Sequence, residues 1–155
     1  MTLTAPRSDF IVMTFIVASL HGNQKSALFT QEGMAGVQRK NPDLPVSLMS
    51  LTARKSVDRA RERGLCFVRF TADITLNCEQ MPATGTLLKC GDLVLEILPE
   101  RKTCWPECVL VQNERPCPLK DGVRFARVVV PGALHLDTKI EIVNMKTHTR
   151  MSKSS

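Results

Sequence analysis

The chain has 155 residues and carries 21 lysine and arginine residues against 15 aspartate and glutamate residues, a formal net charge of +6. This length suits one domain, and a composition of 43% hydrophobic and 23% charged residues argues against intrinsic disorder. Only 5% of the residues are aromatic, so the chain is poorly equipped to stack single-stranded bases, and its positive charge serves solubility as readily as binding to an anionic partner.

The N-terminal region combines a polar segment with an apolar run. We expect residues 1–9 to be flexible. Residues 10–20 are mostly apolar and too short to cross a bilayer, although such a run also occurs in signal peptides. Asp9 beside the run and the Leu20-His21 pair at its end are unfavourable for signal cleavage, whereas the β-branched and aromatic residues are typical of a buried strand. We therefore predict an internal strand, no membrane span and a cytoplasmic protein whose thiols are mostly reduced.

The next elements are short. A second strand is predicted over residues 26–30, and residues 46–49 form a short apolar stretch. Glycine, proline and asparagine interrupt the sequence between them, so residues 31–45 are predicted to be irregular.

One main helix is predicted after the apolar stretch 46–49. Ser50 or Thr52 can cap it, its body runs over residues 52–63, and Gly64 is a suitable C-terminal stop. The helix is rich in basic residues. A solvated outer face explains them better than an anion-binding patch, and nucleic-acid binding is not expected because aromatic residues and a known motif are lacking.

From residue 66 onward the pattern is typical of β structure. Strands are predicted over residues 66–70, 86–89, 93–98, 109–111, 125–130 and 139–143. Many short strands separated by Gly, Pro and Asp turns indicate a mainly β fold, a small barrel or sandwich. We predict a single domain over residues 10–144, followed by a flexible basic tail over 145–155.

The segment from Arg101 to Arg127 is the best candidate for chemistry. It contains three of the six cysteines, and its basic residues outnumber its acidic ones by six to three, a net charge of +3. Cationic neighbours lower the pKa of a thiol, and an exposed thiolate can act as a nucleophile, carry a persulfide or bind a soft metal. The three cysteines are Cys104, Cys108 and Cys117.

Other roles for the cysteines remain open. The three could hold a structural zinc ion, although their spacing is unlike that of a zinc ribbon and no histidine lies nearby as a fourth ligand. A disulfide among them would need an oxidant. The remaining cysteines are interpreted as small buried hydrophobic residues: Cys66, Cys78 and Cys90. The sequence contains no phosphate loop, dinucleotide fingerprint or nucleophile elbow.

Residues 82–143 resemble a known family. The matching motifs are Pro82-Ala-Thr-Gly85-Thr-Leu-Leu-Lys-Cys-Gly91, the three-cysteine loop, Gly122-Val-Arg-Phe-Ala-Arg127, Pro131-Gly132 and Lys139-Ile-Glu-Ile-Val143. Their order resembles that of the MOSC domain, which forms the C-terminal module of molybdenum cofactor sulfurases and occurs as small stand-alone bacterial proteins. A weaker similarity extends back to residue 10.

The MOSC resemblance implies a β-barrel that binds the molybdenum cofactor or carries sulfur for metal–sulfur cofactor assembly. Cys104 best matches the thiol that carries sulfur or contacts the metal, with Cys117 as its rival, and Cys108 and Cys117 match two further cysteines of short bacterial members. The resemblance also implies cofactor-binding basic residues, namely Arg101, Lys102, Arg115, Arg124 and Arg127.

The resemblance further implies partners. A cysteine-desulfurase-type protein would donate the sulfur, and molybdenum cofactor or a molybdoenzyme would accept it. Pyridoxal phosphate is not expected in this domain, because it belongs to a separate desulfurase domain in multidomain relatives. The sequence at Gly36-Val-Gln-Arg-Lys40 lacks the acidic residue and the histidine that the family often carries there, which favours a carrier role over turnover. The alternative is a non-catalytic barrel with a structural zinc–cysteine cluster or an interaction role.

Overall fold

The structure of the chain is a computed structural model that describes residues 11–37, 42–59, 71–102, 108–115 and 117–144. Ten strands are present in this part of the chain: β1 (Ile11–Leu20), β2 (Ser26–Thr30), β3 (Gly33–Met34), β4 (Val46–Ser50), β5 (Ile74–Asn77), β6 (Leu87–Cys90), β7 (Leu93–Ile97), β8 (Val123–Val130), β9 (Gly132–His135) and β10 (Lys139–Asn144). Three α-helices accompany them: α1 (Leu51–Arg59), α2 (Val109–Gln112) and α3 (Pro118–Gly122). The predicted mainly β fold with one main helix is therefore confirmed.

Seven strands close into a barrel in the order β1-β10-β6-β7-β8-β4-β5. Neighbouring strands are antiparallel except for β4 and β5, which are parallel and are separated in sequence by α1. The sequence of β7 shows how the barrel is filled, because Leu93, Leu95 and Ile97 alternate with less buried residues and are each 1% exposed. These aliphatic side chains belong to the larger core cluster, inside the barrel.

Strand β1 completes the barrel. It pairs with β10 through its first half and with β5 through its second half, and the register shifts between Val17 and Ser19. A bulge at this position lets a ten-residue strand bend from one neighbour to the other. The strand predicted over residues 10–20 is thus confirmed over Ile11–Leu20.

A three-stranded sheet, in the order β3-β2-β9, packs beside the barrel. Gly132 brings β9 close to β7, since a Cβ atom added to Gly132 would lie 2.8 Å from the backbone nitrogen of Leu93. Residues 132–135, which were not predicted to form a strand, form strand β9, and the stretch predicted to be irregular contains the short strand β3. Strand β3 forms a hairpin with β2, whereas β9 pairs with the other edge of β2 from a distant part of the sequence.

Helix α1 begins where the sequence predicted. The hydroxyl of Ser50 accepts a hydrogen bond of 3.0 Å from the backbone N–H of Ala53, which identifies Ser50 as the N-cap. The helix is described to Arg59, and the predicted residues beyond it lie outside the described part of the chain. Ala53 and Val57 are its buried residues, and they belong to a second core cluster with Met49, Leu119 and Val123.

One predicted strand is wrong. Residues 109–111 lie in helix α2, where Leu110 is buried while Val109 and Val111 are 37% and 41% exposed. The backbone N–H groups of Gln112 and Asn113 bond to the carbonyls of Cys108 and Val109, each at 3.0 Å. A run of three apolar residues is too short for its periodicity to distinguish a strand from a helical turn.

Several predictions concern segments that the structure does not describe. The strand predicted over residues 66–70 and the flexible ends predicted over 1–9 and 145–155 lie outside the described residues. Within the described ranges, no helix has the length and apolar character that crossing a membrane requires.

Candidate functional site: two clefts beside a short helix

Helix α3 contributes residues to two surface clefts. The first, called here the thiol cleft, has a volume of about 540 Å³ and is lined by Cys108, Leu110, Val111, Glu114, Arg115, Cys117 and Lys120. The second, called the arginine cleft, has a volume of about 460 Å³ and is lined by residues of α1, α3, β8 and two loops: Ser50, Thr52, Ala53, Ser56, Glu79, Gln80, Met81, Arg101, Pro118, Asp121, Gly122 and Arg124. Both clefts draw on the segment that the sequence marked for chemistry.

The thiol cleft is built by two short helices and the turn between them. Cys108 directly precedes α2, and Cys117 directly precedes α3, whose first residue is Pro118. Proline suits this position because the first helical residue needs no N–H donor. Glu114 has a φ of 55°, and the backbone N–H of Arg115 bonds to the carbonyl of Leu110 at 2.7 Å, so the chain reverses after α2. The reversal brings the cysteine before α2 and the cysteine before α3 to one cleft.

The two thiols of this cleft differ in exposure. Cys108 is 7% exposed and belongs to the second core cluster, whereas Cys117 is partly buried and packs against that cluster. Arg115 and Lys120 place two positive charges along the cleft against the one negative charge of Glu114. Cys117 is thus the more accessible thiol, in a cleft that combines apolar walls with a net positive charge.

The other described cysteines are poor nucleophiles. Burial raises the pKa of the Cys78 thiol to about 11, and its sulfur lies 3.9 Å from the sulfur of Met81. Burial also raises the pKa of Cys90, which packs against the barrel core. Because the thiolate is the reactive form, a raised pKa makes both residues sluggish at neutral pH. This agrees with their interpretation as small hydrophobic residues, while Cys66 lies outside the described residues.

The arginine cleft contains a buried guanidinium. Arg124 on β8 is only 4% exposed. Its Nη1 donates to the carbonyl of Pro82 at 3.2 Å, and its Nη2 donates to the hydroxyl of Thr84 and to the carbonyl of Leu98 at 2.8 Å. All three acceptors are uncharged oxygens. The side chain therefore links two segments to β8, namely the loop that enters β6 and the end of β7. None of these three hydrogen bonds neutralises the charge of Arg124.

A second guanidinium lies near the first. Burial, and then the positive charge of Arg101, lower the pKa of Arg124. Arg101 is more accessible, since its side chain is 55% exposed, and its Nη1 lies 3.9 Å from the carboxylate of Asp121 on α3. An exposed pair at this distance is weak, so the Arg101 charge is only partly compensated.

Gly122 allows α3 to pack against α1 at the arginine cleft. A Cβ atom added to Gly122 would collide with the Cβ atom of Ala53. The absence of that atom lets the two helices approach closely, which places the first turn of α1 next to Arg101 and Arg124 along the cleft.

The structure distributes the predicted site residues over three places. Arg101 and Arg124 line the arginine cleft, and Cys108, Arg115 and Cys117 line the thiol cleft. Arg127 lines neither cleft; its Nε donates to the carboxylate of Glu96 at 2.6 Å on the barrel surface. Lys102 also lines neither cleft, and Cys104 lies outside the described residues.

Sequence reasoning missed the contribution of α1 to the site. Ser50 was recognised only as a cap, and Glu79 and Asp121 were not singled out, yet all three line the arginine cleft. Their separation along the chain leaves no local signal. The alternation of β8 offered one clue, because Arg124 and Arg127 are three residues apart and so face opposite sides of a strand.

The metal and cofactor predictions concern residues of both clefts. Among the residues that the structure describes, no group of three or more His, Cys, Asp and Glu side chains could hold a metal ion. A zinc site of Cys104, Cys108 and Cys117 therefore stays a prediction, with two of its three thiols on one cleft. The arginine cleft fits an anionic group, because the acceptors of its buried guanidinium among the described residues are all uncharged oxygens.

Comparisons with known proteins support the fold. No family model and no curated protein matches the sequence. The YuaD protein from Bacillus subtilis shares the fold with a TM-score of 0.62 at 13% identity, over 87% of this chain and 98% of that one. YiiM from Escherichia coli matches with a TM-score of 0.57 at 16% identity, over 85% of this chain and 70% of that one. A hypothetical protein matches with a TM-score of 0.60 at 14% identity, over 84% and 69% of the two chains. At these identities the likeness concerns the fold alone, and that fold is MOSC-like.

Proposed function

We propose that this MOSC-like domain carries sulfur as a persulfide on a loop cysteine, for the assembly of a metal–sulfur cofactor. The observation that supports the proposal is the thiol cleft, where the partly buried Cys117 lies with Arg115 and Lys120 between apolar walls. Molybdenum cofactor, free or in a molybdoenzyme, is the proposed acceptor because of the MOSC resemblance.

The chemistry is a transfer between thiols. The thiolate of the carrier cysteine attacks the terminal sulfur of a persulfide on a cysteine-desulfurase-type donor. A new S–S bond forms on the carrier, the donor's S–S bond breaks, and the donor cysteine leaves as a thiolate. No external oxidant or reductant is consumed, and pyridoxal phosphate stays with the donor.

The thiol cleft suits both the attacking thiolate and the persulfide that forms on it. Arg115 and Lys120 favour the thiolate and the persulfide anion over their protonated forms. Leu110 and Val111 add apolar surface to the cleft beside these charges. Arg115 is the one predicted cofactor-binding residue that lines the same cleft as Cys117.

The proposal has two candidate carriers. Cys104 is favoured by the family resemblance, and Cys117 is favoured by its place in the thiol cleft. The test is to incubate the reduced protein with a persulfide donor and to identify the modified cysteine by mass spectrometry. Cys104→Ser and Cys117→Ser are compared with Cys90→Ser, a matched control whose thiol lies on the barrel. We expect one of the first two substitutions to abolish loading and the control to load normally.

Two results would contradict the sulfur-carrier function. One is the absence of persulfide loading on the unmodified chain, whereas loading that survives both substitutions together would contradict only the choice of Cys104 or Cys117 as the carrier. The other is a tightly held zinc ion, one per chain, that is lost when any of Cys104, Cys108 and Cys117 is replaced, since this would support the structural zinc cluster instead.

A further inference from the structure

Two thiols line the thiol cleft, those of Cys108 and Cys117. The segment between them is closed by the hydrogen bond of 2.7 Å from the backbone N–H of Arg115 to the carbonyl of Leu110. Cys108 lies two residues before Leu110, and Cys117 lies two residues after Arg115. The two cysteines thus occupy matching positions on either side of the closure, each with extended backbone, and their side chains reach one cleft.

The same core cluster supports both thiols. Cys108 belongs to the second core cluster, and Cys117 packs against it. Leu110 and Leu119 are the buried side chains of the two short helices that follow these cysteines, and they belong to this cluster as well. The relative position of the two thiols is therefore set by core packing, not by an exposed loop alone.

The two thiols differ in the partners that they can meet. Cys117 is the more accessible one and can receive sulfur from a donor protein. Cys108 is only 7% exposed, so a large dissolved partner has poor access to its sulfur. A persulfide on Cys117 would lie in the cleft that Cys108 lines, and a neighbouring thiol at high effective concentration reacts with such a group much faster than a dissolved thiol does.

We propose that Cys108 is the resolving thiol of this cleft, which attacks the persulfide on Cys117 and releases its outer sulfur as hydrosulfide. The inference rests on the proposed sulfur-carrier function, with Cys117 as the carrier. A bond forms between the Sγ atoms of Cys108 and Cys117, and the bond from Cys117 Sγ to the outer sulfur breaks. The outer sulfur leaves with the electron pair of that bond and takes up the thiol proton of Cys108, so one HS⁻ is released.

The electrons balance within the cleft. Two thiols are oxidised to one disulfide, and the outer sulfur is reduced to sulfide. The persulfide thus supplies the oxidising equivalent that a disulfide among these cysteines otherwise needs from an oxidant. Sulfide is the form of sulfur that binds directly to a metal centre. A dithiol reductant of the thioredoxin class must then reduce the disulfide before the next cycle, which adds a second kind of partner to the sulfur donor.

The test follows sulfide and disulfide together in the full chain. The reduced protein is loaded with sodium tetrasulfide, desalted and kept without oxygen, and released sulfide is measured with time. Cleavage after Glu107 and Glu114 places Cys104, Cys108 and Cys117 on three different peptides, so mass spectrometry identifies the loaded and the joined residues. We expect persulfide on Cys117 first, and then a cross-link between the Cys108 and Cys117 peptides that forms in step with sulfide release.

One variant and one reagent make the test specific. Cys108→Ala keeps a small apolar side chain in the core cluster and should still load at Cys117, but sulfide release should slow at least about tenfold because the intramolecular attack is lost. Cys90→Ser is the matched control and should release sulfide as the unmodified chain does. Diamide, a thiol oxidant, should join Cys108 to Cys117 in a chain never exposed to sulfur, which tests their placement without any variant.

Several outcomes would overturn the resolving role while leaving the sulfur-carrier function standing. They are loading of Cys117 without the cross-link, equal sulfide release from Cys108→Ala and the unmodified chain, transfer of the outer sulfur to Cys108, and loading of Cys104 alone. Failure of diamide to join the two cysteines would overturn it as well. The absence of loading on the unmodified chain would instead remove the carrier function and this inference with it.

Discussion

Ser47 and Asp73 exchange two side-chain hydrogen bonds across the parallel pair of strands, beside a backbone hydrogen bond of 3.1 Å from the N–H of Asp73 to the carbonyl of Ser47. The backbone N–H of Ser47 donates to the carboxylate of Asp73 at 2.9 Å, and the backbone N–H of Asp73 donates to the hydroxyl of Ser47 at 3.0 Å. Both residues are buried, with exposures of 8% and 1%. The exchange fixes the start of β5 against the N-terminal part of β4, the strand whose other end leads into α1.

Asp73→Ala should therefore lower the free energy of unfolding by about 2–3 kcal/mol, since it leaves a buried backbone N–H without its acceptor. Asp73→Asn keeps an oxygen at that position and should lose about 1 kcal/mol. Urea unfolding measures both. Equal losses for the two substitutions would show that the acceptor oxygen is not what stabilises this junction.

Gly122→Ala should be destabilising by about 2 kcal/mol or more, because its Cβ atom would overlap that of Ala53. Ala53→Gly in the same chain removes the colliding atom and should recover part of the loss, despite the cost of about 1 kcal/mol for glycine within a helix. A double-mutant cycle by thermal unfolding measures the coupling. Strict additivity of the two substitutions would contradict the steric explanation.

Truncation of either arginine of β8 should be destabilising, but the two losses should differ in size and in their dependence on salt. Arg127→Ala breaks an exposed ion pair with Glu96 and should cost less than about 1 kcal/mol, an effect that high salt removes. Arg124→Ala leaves the carbonyls of Pro82 and Leu98 without their donor and should cost about 3 kcal/mol at any salt concentration. Chemical unfolding at two ionic strengths distinguishes the two cases, and a strongly salt-dependent loss at Arg124 would contradict its buried role.

Cys78 should make stability fall at alkaline pH. Its pKa in the folded protein is about 11, above the ordinary thiol value of 9.0, because burial disfavours the thiolate. The stability that this shift provides is complete below pH 9, where the thiol is protonated in both states, and is lost as the pH rises through 11. Cys78→Ala should flatten this part of the stability profile by about 1–2 kcal/mol, relative to its own neutral value. An unchanged slope would contradict the assignment to Cys78.

The same shift predicts the order of alkylation. At neutral pH the thiolate fraction of Cys78 is about 100-fold below that of an unperturbed thiol, so iodoacetamide should label it last. Cys104 should be labelled first if it is the carrier, with Cys117 as its rival. Quantitative mass spectrometry at limiting reagent measures each site, and labelling of Cys78 as fast as Cys117 would be inconsistent with these environments.

The barrel was largely predictable because its strands carry their own signals. Alternation in β7 and the β-branched run of β1 identify both strands within one or two residues. Strand β3 was missed because it has only two residues, and β9 because it gains its hydrogen bonds from β2, a partner distant in sequence. The short barrel strand β5 was missed as well. Helix α2 was missed because its length is a single turn.

The candidate site was predictable in composition but not in arrangement. The cationic, cysteine-bearing segment supplies Cys117 and Arg115 to one cleft and Arg101 and Arg124 to another. Their separation into two clefts depends on where α3 packs against α1, through Gly122. Such long-range packing leaves no periodic pattern in the sequence.

The pairing of β1 with β10 also sets the order of events during synthesis. The register joins Ile11 to Asn144, so the barrel cannot close until the ribosome has released nearly the whole domain. Until then, the edge of β1 that pairs with β10 lacks its partner and exposes unpaired backbone groups. Folding of this domain is therefore expected to be completed after translation of β10 rather than progressively from the N-terminus, with closure of the first and last strands as the slow, non-local step.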